Sequence, residues 1–408
     1  MFAKDISIFD FTYTLDPSRI AHHPVAERDS SKLLVYRNQQ ITEDIYRNID
    51  NYLPASSLLV LNDTRVVEAR LLFQKPSGGM IEIFCLEPHA QYKDITTAMT
   101  ERSSVMWMCL IGGASKWKSG QLLQQTIDTN NHTFVLTARF IDKKDDRFTI
   151  ELSWSATELT FAEVLHLAGN IPLPPYIKRS AEAVDAERYQ TTYANADGSV
   201  AAPTAGLHFT KEIFDRLRAR NITTAFLTLH VGAGTFKPVK ADRMLEHEMH
   251  AEFIDVTLNS VKNIIEKLNS DIVAVGTTSL RTLESLYWLG VKTINNIGLI
   301  PDQLRLEQWD AYELANDSSP DAALQSLINW MERNDLTKLV TTTRLLIVPG
   351  YNFKIVTGLV TNFHQPQSTL LLLVAAFIGE DWRKVYDHAL NNNFRFLSYG
   401  DGCLFLRH

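Results

Sequence analysis

Cysteine is scarce in this chain: Cys85, Cys109 and Cys403 stand far apart, with no pair at metal-ligand spacing. That excludes a disulfide-built scaffold and a cysteine zinc site, and it fits a reducing cytoplasmic compartment. Long apolar runs are missing as well. The most apolar stretch, Leu370 to Ile378, is far shorter than the ~20 residues that a membrane-spanning helix needs. Met1 to Asp5 lacks a basic region followed by an apolar core, so no signal peptide is expected. Positive charge is not in excess either. A formal net charge of −7 excludes a surface coated for indiscriminate nucleic-acid binding, although Lys178, Arg179, Arg188, Lys237, Lys240, Arg243 and Arg281 leave room for a local basic footprint. No internal repeat or low-complexity tract is present. The common nucleotide fingerprints are absent too. Gly232-Ala233-Gly234 is closed by no Gly-Lys-Ser/Thr, and Lys237 occupies the place of a third glycine.

What is present is material for more than one domain, at 408 residues with 45% hydrophobic and 21% charged. Two textures alternate. From about Ala69 to Trp154 the chain reads as short strands between polar turns: Ala69–Gln74, Met80–Glu87, Val105–Ile111, Thr133–Phe140 and Phe148–Trp154. On either side, strands alternate with helices. Ser57–Leu61 is a strand. Helix Lys211–Arg220 leads to strand Ile222–Val231, and helix Val261–Leu268 to strand Ile272–Val275 and helix Leu280–Leu289. The expected fold is an α/β main domain, residues 1–66 plus 158–408, with an inserted antiparallel, Greek-key-like β-barrel domain at 67–157.

Chemistry concentrates where strands end. Ser199 to Thr210 gathers small residues, Pro203, Gly206 and His208 just before an amphipathic helix for which Thr210 is a plausible N-cap. Such a loop lets a ligand approach the backbone and offers unpaired N–H groups. His230 closes a strand before a glycine turn, and ligands in open α/β sheets bind beyond the carboxyl ends of strands. His247 and His250 are three apart, not four as zincins require, and no metal site is expected. Alternation of Met249, Ala251 and Phe253 against His250 and Glu252 puts the latter pair on one strand face, where a carboxylate can fix an imidazole tautomer. Gly276-Thr277-Thr278-Ser279 opens a helix bearing Arg281 and suits an anionic group. Thr361 to Pro366 ends another strand, and Asp401 offers a carboxylate at a turn. Read singly, each also fits a structural role: a satisfied core histidine, a capped helix or a solvated turn.

Asp63-Thr64-Arg65, Ile171 to Ile177, the segment through His208, Leu229 to Phe236, His247 to Glu252, Gly276 to Ser285, Thr361 to His364 and Ser398 to Asp401 follow one another in a single order. That order closely resembles the S-adenosylmethionine:tRNA ribosyltransferase-isomerase family of queuosine biosynthesis, from Ile20 to Phe405. The resemblance implies an α/β domain with an inserted barrel. It also implies transfer and isomerisation of the ribosyl part of S-adenosylmethionine onto 7-aminomethyl-7-deazaguanine in a tRNA anticodon loop. The products would be epoxyqueuosine-tRNA, adenine and methionine. S-adenosylmethionine is then a co-substrate with no resident cofactor, the partner is tRNA with a GUN anticodon, and the enzyme is expected to be a cytoplasmic monomer.

Under this resemblance the C5′ proton needs a positioned base, for which His208 or His250 is expected, with Glu252 orienting it or acting as acid. Thr204, Gly206, His230, Gly232, Gly234, Thr277, Thr278 and Asp401 are expected at the co-substrate. Glu252, Asp401, Phe209 and Phe236 are candidates to face its sulfonium. Lys178, Arg179, Arg188, Lys237 and Arg281 are expected to meet RNA phosphates. Gln367 departs from the lysine usual in the family, and extra length falls at Pro88–Ser104 and Ala311–Asn334. The other readings are a paralogue with a different nucleoside or RNA substrate, non-catalytic RNA binding, and a metal hydrolase built on His247, His250 and His364.

Overall fold

The computed structural model describes residues 3–75, 77–118, 120–232, 239, 241–314 and 317–407. In chain order its strands are β1 Lys32–Arg37, β2 Gln40–Ile45, β3 Leu58–Asn62, β4 Thr64–Val66, β5 Arg70–Gln74, β6 Met80–Pro88, β7 Ser104–Gly112, β8 Leu122–Asp128, β9 Thr133–Lys144, β10 Arg147–Trp154, β11 Ala196–Ser199, β12 Thr223–His230, β13 Glu252–Thr257, β14 Ile272–Val275, β15 Lys338–Thr343, β16 Gly358–Asn362 and β17 Gly402–Leu406. Nine of them form one mixed sheet in the order β15-β13-β12-β3-β14-β16-β17-β1-β2. Within it β12, β3, β14 and β16 run parallel side by side. Strands β3, β14, β16 and β17 are buried along their whole length. Helices cover both faces, which is why these strands read as unbroken apolar runs. Helices Thr277–Asn295, Pro320–Arg333 and Thr369–Ile378 pack on one face, and helix Lys211–Ala219 on the other.

The second sheet has the order β5-β6-β7-β10-β9-β8, every neighbouring pair antiparallel, with β5 and β8 close at the open seam. It is a nearly closed, barrel-like sheet. Its inward residues alternate strictly: Leu71 and Phe73, Ile81 and Ile83, Val105 and Trp107, Ile150 and Leu152. With helix Phe161–Ala168 they make a core separate from that of the large sheet. The mixed α/β fold with a small β sheet agrees with the sequence reading.

Three differences have physical causes. Strand β8 is absent from the sequence reading because its adjacent Gln124 and Gln125 break the apolar alternation of an edge strand. The helix expected at Leu280–Leu289 runs from Thr277 to Asn295; it is buried nearly all round, so no polar stripe marks its ends. Helix Pro320–Arg333, inside one of the extra segments and not expected from the sequence reading, begins with Ser319 as N-cap and proline at its first position. Gly290 brings these two helices together: a Cβ there would lie 2.2 Å from the Ala323 carbonyl oxygen. Among the described residues no helix is long and apolar enough to cross a membrane.

Candidate active site

Because β12, β3, β14 and β16 are parallel neighbours, their carboxyl ends share one edge of the sheet, and a cleft opens there. At the end of β14, Gly276 adopts φ +93°, a conformation that favours glycine, and the chain turns directly into helix Thr277–Asn295 with no side chain capping its first turn. At the end of β16, Asn362 accepts a hydrogen bond from Thr204 Oγ1 at 2.7 Å, tying the small-residue loop to the sheet. Beside it Thr361 Oγ1 and His364 Nε2 are 2.8 Å apart. Tyr176 and Ser398 close the far side through a 2.6 Å bond between their hydroxyls. The cleft measures about 720 Å³ including its open mouth, and Ala202, Thr204, Thr277, Thr278, Thr361 and His364 are among its walls. Its described lining contains no Asp, Glu, Lys or Arg. It offers hydroxyls, an amide and an imidazole on a small-residue floor, the surface that a nucleoside fits.

Strand β13 runs antiparallel to β12, so its first residue lies beside the end of β12. That residue is Glu252, and its face of the strand, continued by Ile254 and Val256, is the buried one. Glu252 Oε1 lies 3.3 Å from His250 Nε2, and Glu252 Oε2 lies 2.7 Å from Arg281 Nη1. Glu252 and Arg281 are buried; His250 keeps a quarter of its side-chain surface exposed. Arg281 Nε and Nη2 have no hydrogen-bond partner among the described residues. His250 faces a second cavity, about 2040 Å³ with its open space, between the sheet edge and barrel residues such as Met108 and Arg147. Ser368 and Leu370 line the cleft, and Thr369 between them lines the second cavity.

Thr204, Thr277 and Thr278 therefore share the cleft, and His250, Glu252 and Arg281 form a chain at the same sheet edge. Gly206 lies just behind the cleft wall, pressed so close to Tyr193 that a Cβ would sit 2.0 Å from its hydroxyl. Gly232 borders the second cavity. Gly234, Lys237 and Phe236 lie outside the described residues.

Other expected residues sit elsewhere. His208 is sealed in a small chamber with Arg28, Arg188 and Tyr399, its Nδ1 3.1 Å from the Arg28 carbonyl and its Nε2 without a partner. Burial pushes its pKa down to about 4. His230 points away from the cleft, toward Thr64 Oγ1 at 2.9 Å and the groove beside the barrel. Asp401 is a structural clasp: its carboxylate accepts the N–H groups of Lys32 at 3.0 Å and Arg395 at 2.7 Å. Neither it, Glu252 nor Phe209 lines the cleft.

The basic footprint is also rearranged. Arg179 clamps buried Asp185 with two bonds of 2.6 and 2.8 Å, Arg188 donates to the carbonyls of Val25 and Ala26, and Arg281 is internal. These arginines are ties within the protein, in contrast to the free cations expected; Lys178 is exposed. Among the described residues no three His, Cys, Asp or Glu side chains are grouped as a metal site. The cleft residues that the sequence reading left without a role include Tyr176, Asn362 and Ser398, and His364 entered it only as a ligand in the metal-hydrolase alternative. For Asn362 and His364 the signal was their position at a strand end.

Burial lowers the pKa of His230 to about 4, and an exposed unfolded imidazole stays near 6.5. The unfolded chain thus takes up a proton as pH falls below about 6.5 while the folded imidazole stays neutral. Stability contributed by neutral His230 is complete above that point and is lost on acidification toward the folded value. Between pH 7 and 5 the urea midpoint of His230→Gln is expected to fall less steeply than that of the parent; equal slopes would contradict this.

The profile of the queuosine biosynthesis protein family matches residues 8–405. A protein of Magnetococcus marinus named S-adenosylmethionine:tRNA ribosyltransferase-isomerase is 37% identical over 397 residues, covering 97% of this chain and 92% of its own length. One of the same name from Legionella pneumophila strain Lens is 37% identical over 404 residues, covering 97% and 99%. A solved structure titled S-adenosylmethionine tRNA ribosyltransferase, from Thermotoga maritima, aligns at 29% identity and a TM-score of 0.45 over 97% of this chain and 100% of that one. On the match of profile and relatives along nearly its whole length, the chain belongs to the queuosine biosynthesis protein family.

Proposed function

We propose that this protein is an S-adenosylmethionine:tRNA ribosyltransferase-isomerase, moving and rearranging the ribosyl group onto 7-aminomethyl-7-deazaguanine in the anticodon loop of tRNA with a GUN anticodon. One observation carries the reading: an uncharged cleft of hydroxyl, amide and imidazole groups lies at the same sheet edge as a cavity lined by His250, which is backed by the buried Glu252–Arg281 pair. The cleft holds the adenosyl part of S-adenosylmethionine against Thr204, Thr277 and Thr278, with Gly206 keeping the wall close. The wider cavity admits the flipped 7-deazaguanine with its flanking nucleotides.

Of the two imidazoles expected as base, geometry favours His250. It is half-open, and Glu252 can hold one tautomer and stabilise the charge that develops when a proton is taken from C5′. His208, sealed behind Leu207, supports the loop instead. Two groups leave the ribosyl unit, methionine as C5′–S breaks and adenine as C1′–N9 breaks; the substrate amine forms the new C–N bond, and the protons that the amine and C5′ give up pass to base and solvent. Residues 67–157 are read as an inserted barrel, Greek-key in its β7-β10-β9-β8 order, and 1–66 plus 158–408 as the catalytic domain of a cytoplasmic monomer.

The test is incubation with S-adenosylmethionine and precursor-bearing tRNA. Adenine is expected in solution and the epoxide nucleoside in the digested tRNA by mass spectrometry. Binding of both substrates without adenine release would overturn the assignment. With several arginines tied internally, few phosphates are met, so log affinity for tRNA should fall with log salt at a shallow slope of about −0.7 to −0.9 per phosphate.

A further inference from the structure

We infer that His364 is the group that meets the departing purine, its Nδ1–H donating a hydrogen bond to a ring nitrogen of adenine, with Thr361 as the residue that sets its tautomer. The inference rests on the proposed reaction and adds the contact that this reaction needs at its leaving group. His364 lines the cleft, and its backbone is pinned on both sides: its N–H donates to Tyr386 Oη at 3.0 Å, and its carbonyl accepts from Tyr13 Oη. The ring therefore has a fixed origin. Its Nε2 is engaged by Thr361 Oγ1 at 2.8 Å. No described residue hydrogen-bonds Nδ1, and the side chain is part of the cleft wall.

When the Thr361 hydroxyl donates to Nε2, the proton of the neutral ring must sit on Nδ1, which is then a donor on a ring that lines the cleft. Burial keeps the ring neutral, with a pKa near 3, so it acts as a hydrogen-bond donor and not as a cationic acid. A neutral, pre-aligned imidazole in a site without competing charges is suited to electron density that appears only as the bond breaks. In the step itself the C1′–N9 pair leaves with the purine. The hydrogen bond spreads that charge, and the purine becomes neutral adenine by taking one proton from water after release. His364 ends as it began.

The experiment compares the parent enzyme with His364→Gln, Thr361→Val and Thr361→Ser on three co-substrates: S-adenosylmethionine and its 7-deaza and 3-deaza analogues. On the natural co-substrate His364→Gln is expected to lose about 10²- to 10³-fold in adenine release. On the analogue lacking the nitrogen that His364 meets, parent and variant should differ by less than about tenfold, because the contact is already gone. Which analogue does this identifies N7 or N3. Thr361→Val should show the same pattern more weakly, and Thr361→Ser should restore the parent rate. Equal losses on all three co-substrates would assign His364 a structural role and overturn the inference. If His364→Gln does not fold, by its thermal transition, the Thr361 pair decides: a Val variant as active as Ser overturns it. Failure of the parent enzyme to release adenine from S-adenosylmethionine is a separate result, one that removes the proposed reaction itself and this inference with it.

Discussion

Glu252→Ala is expected to lower turnover by about 10²- to 10⁴-fold and to destabilise the fold by about 3–5 kcal/mol. Two losses coincide. His250 loses the carboxylate 3.3 Å away that orients it, and Arg281, 4% exposed, loses its charged partner inside the protein. The stability loss arises from the abandoned cation, because an unpaired buried charge costs far more than an apolar replacement of the whole pair. Adding Arg281→Met to Glu252→Ala should therefore recover most of the urea midpoint while leaving turnover depressed. A double variant that regains both would refute the role of Glu252 in the chemistry, and a single variant as stable as the parent would refute the account of Arg281.

Glu284→Ala should destabilise by at least about 3 kcal/mol with little direct effect on substrate contacts. Glu284 is fully buried in helix Thr277–Asn295, and its carboxylate collects four donors: Tyr351 Oη at 2.8 Å and the N–H groups of Lys354, Ile355 and Val356 at 2.9, 3.0 and 3.0 Å. Burial raises its pKa, and the three backbone donors oppose that shift. Removing the side chain leaves all four donors unsatisfied in the interior, at a cost of about 1–3 kcal/mol each before relaxation. These residues lead directly into β16, so amide exchange at Lys354 to Val356 should quicken as the urea midpoint falls. A loss below about 1 kcal/mol, or unchanged exchange, would contradict this account.

What the sequence could disclose follows from the range of the interactions involved. Strand Ile272–Val275 matches the sequence reading to the residue, and five of the six barrel strands match to within a few, because apolar alternation and turn residues are local signals. The same local signals mark Thr204, Thr277 and Thr278, which line the cleft: small or hydroxyl residues between a strand and a helix announce an exposed helix start. His250 does meet Glu252, but not on one strand face: β13 begins at Glu252, and His250 reaches it from the irregular segment before the strand. The destinations of the arginines were not legible. Arg281 faces inward only because β13 crosses beside β12, and Arg188 spends its guanidinium on carbonyls of Val25 and Ala26, far away in sequence. His208 shows the same limit: a histidine in a glycine loop looks reactive until the carbonyl of Arg28 and the ring of Tyr46 close over it. Composition marks a residue as able to act; only packing decides what it meets.

The placement of β17 bears on how the chain reaches this state. Strand β1 is joined to the rest of the large sheet only through β17, pairing Leu33 with Gly402 and Arg37 with Leu406. The hairpin β1–β2 thus keeps one edge bare until a strand very distant in sequence reaches it. Closing so distant a pairing is entropically slow, and an unpaired apolar edge invites association with other chains.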